Sequence, residues 1–73
     1  MYYIENNQVK SVMMTTENEK ELQQKDLFII HCTYKGLYVV LKWHNLEYYW
    51  QAVSKEYKRK KNAYNFITKW AKN

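Results

Sequence analysis

The sequence has no proline, one glycine and one cysteine among its 73 residues. The scarcity of cysteine and that of glycine each exclude a class of structure. A lone cysteine cannot form an internal disulfide, which indicates a reducing compartment such as the cytoplasm. A single glycine cannot build a glycine-rich loop that would hold a phosphate group. No apolar run reaches the roughly 18 residues of a membrane span, and the first residues lack the basic and apolar regions of a signal peptide. We therefore predict a cytoplasmic protein without a membrane segment.

Catalytic and metal-binding patterns are also missing from the sequence. The two serines and the single aspartate, Asp26, form no nucleophile or carboxylate-pair pattern. His31, Cys32 and His44 lack metal-ligand spacing, because adjacent strand residues point to opposite faces and a fourth ligand is absent. We therefore expect a binding protein with no metal and no cofactor rather than an enzyme, and we expect Cys32 to be an ordinary buried residue.

Aromatic and basic residues are what the chain has in excess. Aromatic residues make up 18% of the sequence, including eight tyrosines and three tryptophans, which is more contact surface than so small a core needs. The net charge of +5 is unevenly distributed. Residues 1–41 carry four basic and five acidic side chains, whereas residues 42–73 carry eight basic and two acidic ones. The halves thus have charges of −1 and +6, which predicts two electrostatically different faces.

The first 15 residues predict a β-hairpin. Asparagine tolerates a positive φ angle, so Asn6-Asn7 suits a two-residue turn within residues 1–15. This turn would pair Ile4 with Val9.

A short helix is predicted over residues 16–25. Thr16 and Glu19 match a capping box, in which each side chain accepts a hydrogen bond from the other residue's backbone. The helix is mostly polar, and Leu22 is its one strong hydrophobic anchor.

A second hairpin is predicted over residues 27–43, with the only glycine in the turn Lys35-Gly36. A two-residue turn would pair Ile30 with Leu41. Alternation along the strands then assigns one face to the core. That face consists of Phe28, Ile30, Cys32, Tyr34, Leu37, Val39, Leu41 and Trp43.

Residues 45–72 predict a long amphipathic helix that begins at Asn45 as its N-cap. Such a helix would be about 40 Å long, which exceeds the width of a globule of this size. Either it breaks near residues 60–62, or it extends beyond the globule and packs against a second subunit. The second alternative predicts a homodimer. Its self-association surface would be Tyr64, Ile67 and Trp70.

Basic side chains would form a stripe on one side of this helix, opposite the apolar side. The stripe has two interpretations: a solvated helix face, or a surface that follows the phosphates of nucleic acid. Asn62 and Asn65 would add hydrogen bonds in the second case. Lysine outnumbers arginine and no known recognition motif is present, so the contact would be non-specific and salt-sensitive. The candidate nucleic-acid-binding residues are Lys55, Lys58, Arg59, Lys61, Lys69 and Lys72.

Two further groups are candidates for binding a protein partner. The acidic side chains Glu17, Glu19 and Glu21 lie on the predicted short helix, where they form either a soluble face or a docking surface for a basic partner. Tyr48 and Tyr49 belong to a run of three aromatic residues. Three consecutive aromatic residues cannot all face the core, so at least one should be available to a partner.

In its length, its richness in lysine, asparagine and tyrosine, and its lack of enzymatic motifs, the chain resembles the very short proteins that phages of AT-rich Gram-positive hosts use to disable host machinery. Proteins of this kind commonly cover a surface of a replication or transcription protein. One type is a small dimeric inhibitor that plugs the DNA channel of a bacterial sliding clamp. The resemblance implies that Glu17, Glu19 and Glu21 would face that basic channel, while the +6 half would face away or meet acidic rims.

The sequence as a whole predicts one α+β domain over residues 1–73. Two β-hairpins form a small antiparallel sheet, a short polar helix lies between them, and a long amphipathic helix follows. The predicted function is inhibition or modulation of a host DNA replication or transcription protein by occupying its surface. The alternative is a basic accessory protein that binds DNA or RNA through the C-terminal helix.

Overall fold

The computed structural model describes residues 1–6 and 8–72, and for residues 71 and 72 it describes the backbone alone. In chain order the elements are β1 (Tyr2–Glu5), β2 (Gln8–Ser11), α1 (Thr16–Lys25), β3 (Ile29–Cys32), β4 (Tyr38–His44), β5 (Tyr49–Ala52) and α2 (Lys60–Lys72). The strands form one antiparallel sheet in the order β2-β1-β3-β4-β5. The predicted α+β class is confirmed, with five strands instead of two separate hairpins.

The first hairpin has the predicted register. Ile4 pairs with Val9, and the pairing ends at Glu5 and Gln8, next to the turn. Asn6 has a φ of 52°, in the left-handed region that asparagine tolerates better than most residues. The other predicted turn residue, Asn7, lies outside the described residues.

Helix α1 spans the predicted residues 16–25, but its N-cap lies one residue before the predicted one. The N-cap is Thr15, whose hydroxyl accepts a hydrogen bond from the backbone N–H of Asn18 at 3.1 Å. The predicted capping box between Thr16 and Glu19 is therefore wrong, because Thr16 is already the first helical residue. The predicted anchor, Leu22, is buried in the structure.

The turn between β3 and β4 is one residue longer than predicted. Thr33 donates its backbone N–H to the carbonyl of Leu37 at 2.7 Å, so three residues connect the paired positions. The Thr33 hydroxyl stabilises this loop by accepting hydrogen bonds from two backbone N–H groups inside it. Ile30 consequently pairs with Val40 and not with Leu41. The predicted register is wrong by one residue, which moves one strand's side chains to the opposite face.

Both faces of the sheet carry buried residues, which the prediction of a single core face did not allow. Ile29 and Ile30 are adjacent in β3, point to opposite faces and are both fully buried. Two members of the predicted core face are on the surface. Cys32 is exposed, and Tyr34 in the following turn is 95% exposed.

The main core lies between α2 and one face of the sheet. Its buried members are Ile4, Ile30, Val40, Ala63 and Ile67. Tyrosine, phenylalanine and valine side chains that are partly buried surround this cluster. Burial of their apolar surface, at roughly 25 cal/mol per Å², stabilises the contact between α2 and the sheet.

Helix α1 lies against the opposite face. Leu22 lines a small cavity with Tyr3 of β1, and the indole Nε1 of Trp50 in β5 donates a hydrogen bond to Glu19 Oε1 at 3.2 Å. Trp50 also packs edge-on against Trp43 across the strand pair, with ring centroids 5.4 Å apart. The sheet is thus sandwiched between the two helices.

The predicted helix over residues 45–72 is wrong in its first half. Residues 45–48 form a turn, β5 follows, and α2 begins only at Lys60, where the break was predicted. The bulky residues that fit a helical spacing also fit a strand, and β5 satisfies the otherwise open edge of β4. Helix α2 is about 20 Å long at 1.5 Å per residue, which fits within a molecule of 30 × 28 × 23 Å. No overhang exists for a second subunit to cover.

Candidate nucleic-acid interface

The fold brings two basic segments together at one end of the sheet. The segment between β5 and α2 runs beside β4, since Tyr57 and Tyr38 exchange two backbone hydrogen bonds of 2.7 Å. Tyr38 is the first residue of β4 and follows the β3–β4 turn directly. We call this region the basic end. It consists of Lys35 from the turn and of Lys55, Lys58, Arg59, Lys60 and Lys61.

The charges of the basic end are not neutralised within the described part of the chain. The described ion pairs lie elsewhere: Glu5 bonds Lys10 and Lys25, Glu21 bonds Lys25, and Asp26 bonds Lys42, at distances of 3.0–3.5 Å. Between residues 55 and 61 one acidic residue accompanies five basic ones. A positive potential at this end follows from the imbalance.

The ion pairs on the other side of the molecule shift two pKa values. A hydrogen bond from Lys10 and then the charge of Lys25 lower the pKa of Glu5. The hydrogen bond to Glu21, followed by its charge, raises the pKa of Lys25. Glu5 is the last residue of β1, which runs antiparallel to β3, so these groups lie away from the β3–β4 turn.

The N-terminus of α2 adds to the positive potential. Its first turn contains Lys60 and Lys61 and no acidic residue. The helix dipole places a partial positive charge at this end, where lysine is unfavourable and an anion is favourable. Lys60 directs its ammonium towards the ring of Tyr2, 4.1 Å from the centroid. The other basic side chains of this region are exposed to solvent.

The residues of the predicted basic stripe do not all lie on the C-terminal helix. Lys55, Lys58 and Arg59 precede α2 and belong to the connecting segment. Lys69 lies further along α2, where it lines a shallow depression of about 300 Å³ with the predicted Asn62 and Asn65. Lys61 is exposed at the start of the helix, and the side chain of Lys72 lies outside the described residues.

The acidic candidates on α1 are partly engaged. Glu19 accepts the hydrogen bond from Trp50 and a second one from Gln23, while Glu21 pairs with Lys25 at 3.0 Å. Glu17 is exposed. The three carboxylates therefore do not form one open acidic surface.

The aromatic candidates lie at the opposite end of the sheet from the basic end. Tyr48 is 78% exposed and adopts a φ of 58° in the β4–β5 turn. Tyr49 stacks on His44 with ring centroids 5.3 Å apart. Leu46 of the same turn is 86% exposed and lines an apolar groove with Trp70 of α2. We call Leu46, Tyr48, Tyr49 and Trp70 the aromatic end. Its role in binding a partner stays a prediction.

The predicted self-association surface on α2 is not a continuous one. Ile67 is buried in the main core and is therefore inaccessible to a second subunit. Tyr64 is partly buried against the same core. Trp70 remains half exposed, with its ring packed against Phe28 and Phe66 at 6.2 and 5.6 Å.

The histidines and the cysteine do not assemble. Among the described residues no group of three histidine, cysteine or acidic side chains is placed to hold a metal ion. His44 uses Nδ1 to accept the backbone N–H of Glu47 at 3.2 Å. Cys32 and His31 lie on opposite faces of β3. Within the same described part of the chain, no helix is both long enough and apolar enough to cross a membrane.

An open groove beside the basic end was missed by the sequence analysis. It has a volume of about 720 Å³ and is lined by Tyr34, Lys35, Lys55 and the strand residues next to them. Tyr34 had been assigned to the core. The sequence feature that could have indicated this groove is the turn, in which an aromatic and a basic residue directly precede the only glycine.

Comparisons with known proteins add no relative. No protein-family model matches this chain, and neither a curated protein nor a solved structure is significantly similar to it.

Proposed function

We propose that this protein is a cytoplasmic, non-enzymatic accessory protein that binds nucleic acid non-specifically through its basic end. The observation that carries the proposal is the unpaired charge there: the described acidic side chains form their ion pairs elsewhere. Nucleic acid is the most abundant polyanion that such a surface meets, and phosphate contacts supply most of non-specific affinity.

The mode of binding follows from the side chains involved. Five of the six residues of the basic end are lysines, which act as mobile point charges, whereas bidentate recognition of guanine favours arginine. The helix dipole at the start of α2 adds to the attraction for a phosphate group. We therefore expect contacts to the sugar-phosphate backbone and little discrimination between sequences.

Fluorescence anisotropy of labelled duplex DNA tests the proposal, with titrations between about 50 and 200 mM salt. The affinity should fall with salt, with a slope of about −0.9 per phosphate contact in a plot of log affinity against log salt. The substitution Lys58→Ala should reduce the size of this slope by about 0.9 if Lys58 contacts one phosphate.

Lys20→Ala is the matched control, because Lys20 is also an exposed lysine without an ion pair but lies on α1. It should leave both affinity and slope unchanged. No binding of the unaltered protein at 50 mM salt would reject nucleic-acid binding, and equal effects of the two substitutions would reject the basic end as its location.

A second candidate function is supported by the aromatic end. Exposed tyrosine and tryptophan are enriched at the energetic centres of protein interfaces, and Tyr48 is 78% exposed. In this alternative the chain is a phage-encoded inhibitor that covers a host replication or transcription protein, such as the sliding clamp. Tyr48→Ala should then weaken binding to that purified clamp, and reversing the charges of Glu17, Glu19 and Glu21 should weaken it further. An unchanged affinity of both variants would exclude the clamp-plugging alternative.

A further inference from the structure

We propose that the open groove beside the basic end is a binding site for single-stranded nucleic acid, in which Tyr34 stacks on a base and Lys35 and Lys55 contact the neighbouring phosphates. This inference rests on the proposed function and specifies its ligand. Three observations support it: the shape of the sheet, the exposure of Tyr34 and the hydrogen bonds of the groove.

The groove exists because α1 is too short to cover its whole face of the sheet. Helix α1 lies over Tyr3 and Trp50, towards one end of that face. At the other end His31 and Val39 are paired across β3 and β4, and both line the groove. A site of about 720 Å³ falls in the range of roughly 300–1,000 Å³ that is usual for small-ligand sites.

Tyr34 stands at the rim of the groove with its ring free for stacking. It is 95% exposed, and the ammonium of Lys35 lies 5.8 Å from its ring centroid. A lysine beside an exposed aromatic ring provides both components of single-strand recognition, which are base stacking and phosphate contact. In a duplex the bases are stacked on one another, so only an unpaired strand can place a base on this ring.

The turn that carries Tyr34 is held in place before any ligand arrives. The Thr33 hydroxyl accepts the backbone N–H groups of Lys35 and Leu37 at 3.3 and 3.2 Å. The backbone N–H of Gly36 donates to the Thr33 carbonyl at 2.9 Å, and Gly36 has a φ of 78°. A turn fixed in this way loses little conformational entropy on binding.

A second lysine approaches the groove from another segment. Lys55 lines it together with Glu56, and the ammonium of Lys55 lies 5.6 Å from the ring centroid of Tyr57. Lys58 follows three residues later, so the backbone of a bound strand can pass from the groove onto the basic end. Glu56 opposes an anion in the groove, which keeps the contact weak.

Two hydroxyl groups that line the groove take part in the protein's own hydrogen bonds. Ser54 accepts the backbone N–H of Val40 at 2.9 Å and donates to the carbonyl of Lys55 at 2.8 Å. Thr33 is bonded to the turn. Ser54 thus uses its one donor, whereas the described bonds of the Thr33 hydroxyl are both accepted ones and leave its hydrogen to donate to an oxygen of a bound strand.

The test compares Tyr34→Ala with Tyr48→Ala in binding to a labelled oligothymidylate and to a duplex of equal length. Both tyrosines are largely exposed in turns, so neither substitution should unfold the protein. Loss of one stacked base should lower single-strand affinity roughly 5- to 150-fold in Tyr34→Ala, with the salt slope unchanged. Tyr48→Ala should bind like the unaltered protein, duplex affinity should not change, and Tyr34→Trp should retain single-strand binding.

The outcomes separate this inference from the function on which it rests. If Tyr34→Ala binds oligothymidylate as well as Tyr48→Ala does, while Lys58→Ala still weakens DNA binding, the groove is not the site and the basic end remains one. If the unaltered protein binds no nucleic acid at 50 mM salt, both proposals fail.

Discussion

The basic end and the aromatic end differ in whether their charged side chains have partners of opposite charge. Around the aromatic end charges are paired and shielded: Asp26 lies 3.5 Å from Lys42, whose ammonium also lies 5.1 Å from the ring centroid of Phe28. At the basic end the lysines have no described acidic partner. The chain has enough acidic residues to neutralise either end, so their distribution makes one end apolar and the other cationic. The two ends are therefore suited to chemically different partners.

The largest expected effect comes from a substitution in the core between α2 and the sheet, because the basic end and the aromatic end both depend on that core. Ile67→Ala should lower the free energy of unfolding by about 2–5 kcal/mol, since it removes a buried side chain that contacts both layers. Urea denaturation followed by circular dichroism measures this change. Leu46→Ala is the control and should change the stability by less than about 0.5 kcal/mol, because Leu46 is 86% exposed. Similar small values for both variants would contradict the assigned core.

The core also shows how far the sequence alone predicts this fold. The α+β class, the Ile4–Val9 register and the burial of Leu22 follow from turn chemistry and periodicity over a few residues. These features depend on local interactions, so they can be inferred without knowing the rest of the chain.

The failures have non-local causes. Residues 49–52 become β5 because the edge of β4 is available to them, which no local pattern shows. The β3–β4 register is an exception with a local cause, because the Thr33 hydroxyl stabilises a longer turn. In the candidate site, Lys35 and Lys60 were not predicted, whereas Lys55, Lys58, Arg59 and Lys61 were predicted as part of a stripe on one helix. Their separation from the rest of the stripe, and the position of Tyr34 beside them, required the three-dimensional path of residues 53–59.

The next prediction concerns self-association, which would now have to use the aromatic end. Ile67 is buried, so the homodimer predicted from the sequence requires another apolar surface, and Leu46 with Trp70 provides one. Leu46→Glu should convert a dimer into a monomer in sedimentation velocity, because it places a charge in the apolar contact. DNA binding by the monomer should be unaffected, since the basic end lies at the other end of the sheet. A dimer that persists in Leu46→Glu would place the contact elsewhere.

The smallest expected effect concerns the ion pairs of Glu5, which contrast with the unpaired lysines of the basic end. The hydrogen bond from Lys10 and the charge of Lys25 lower the pKa of Glu5 below its ordinary value of 4.5. A carboxylate with a lowered folded-state pKa stabilises the protein fully above its unfolded-state pKa, and this contribution disappears as the pH falls through the folded-state value. Stability should therefore decrease below about pH 4.5 in part through Glu5, and Glu5→Gln should make that part of the pH dependence shallower.

Urea midpoints of both proteins between pH 3 and 7 measure the difference, and an NMR titration of the Glu5 carboxyl carbon measures the shift directly. An unshifted Glu5 titration would mean that its ion pairs do not persist in solution, and the contrast between the two ends would then rest on the distribution of apolar surface alone.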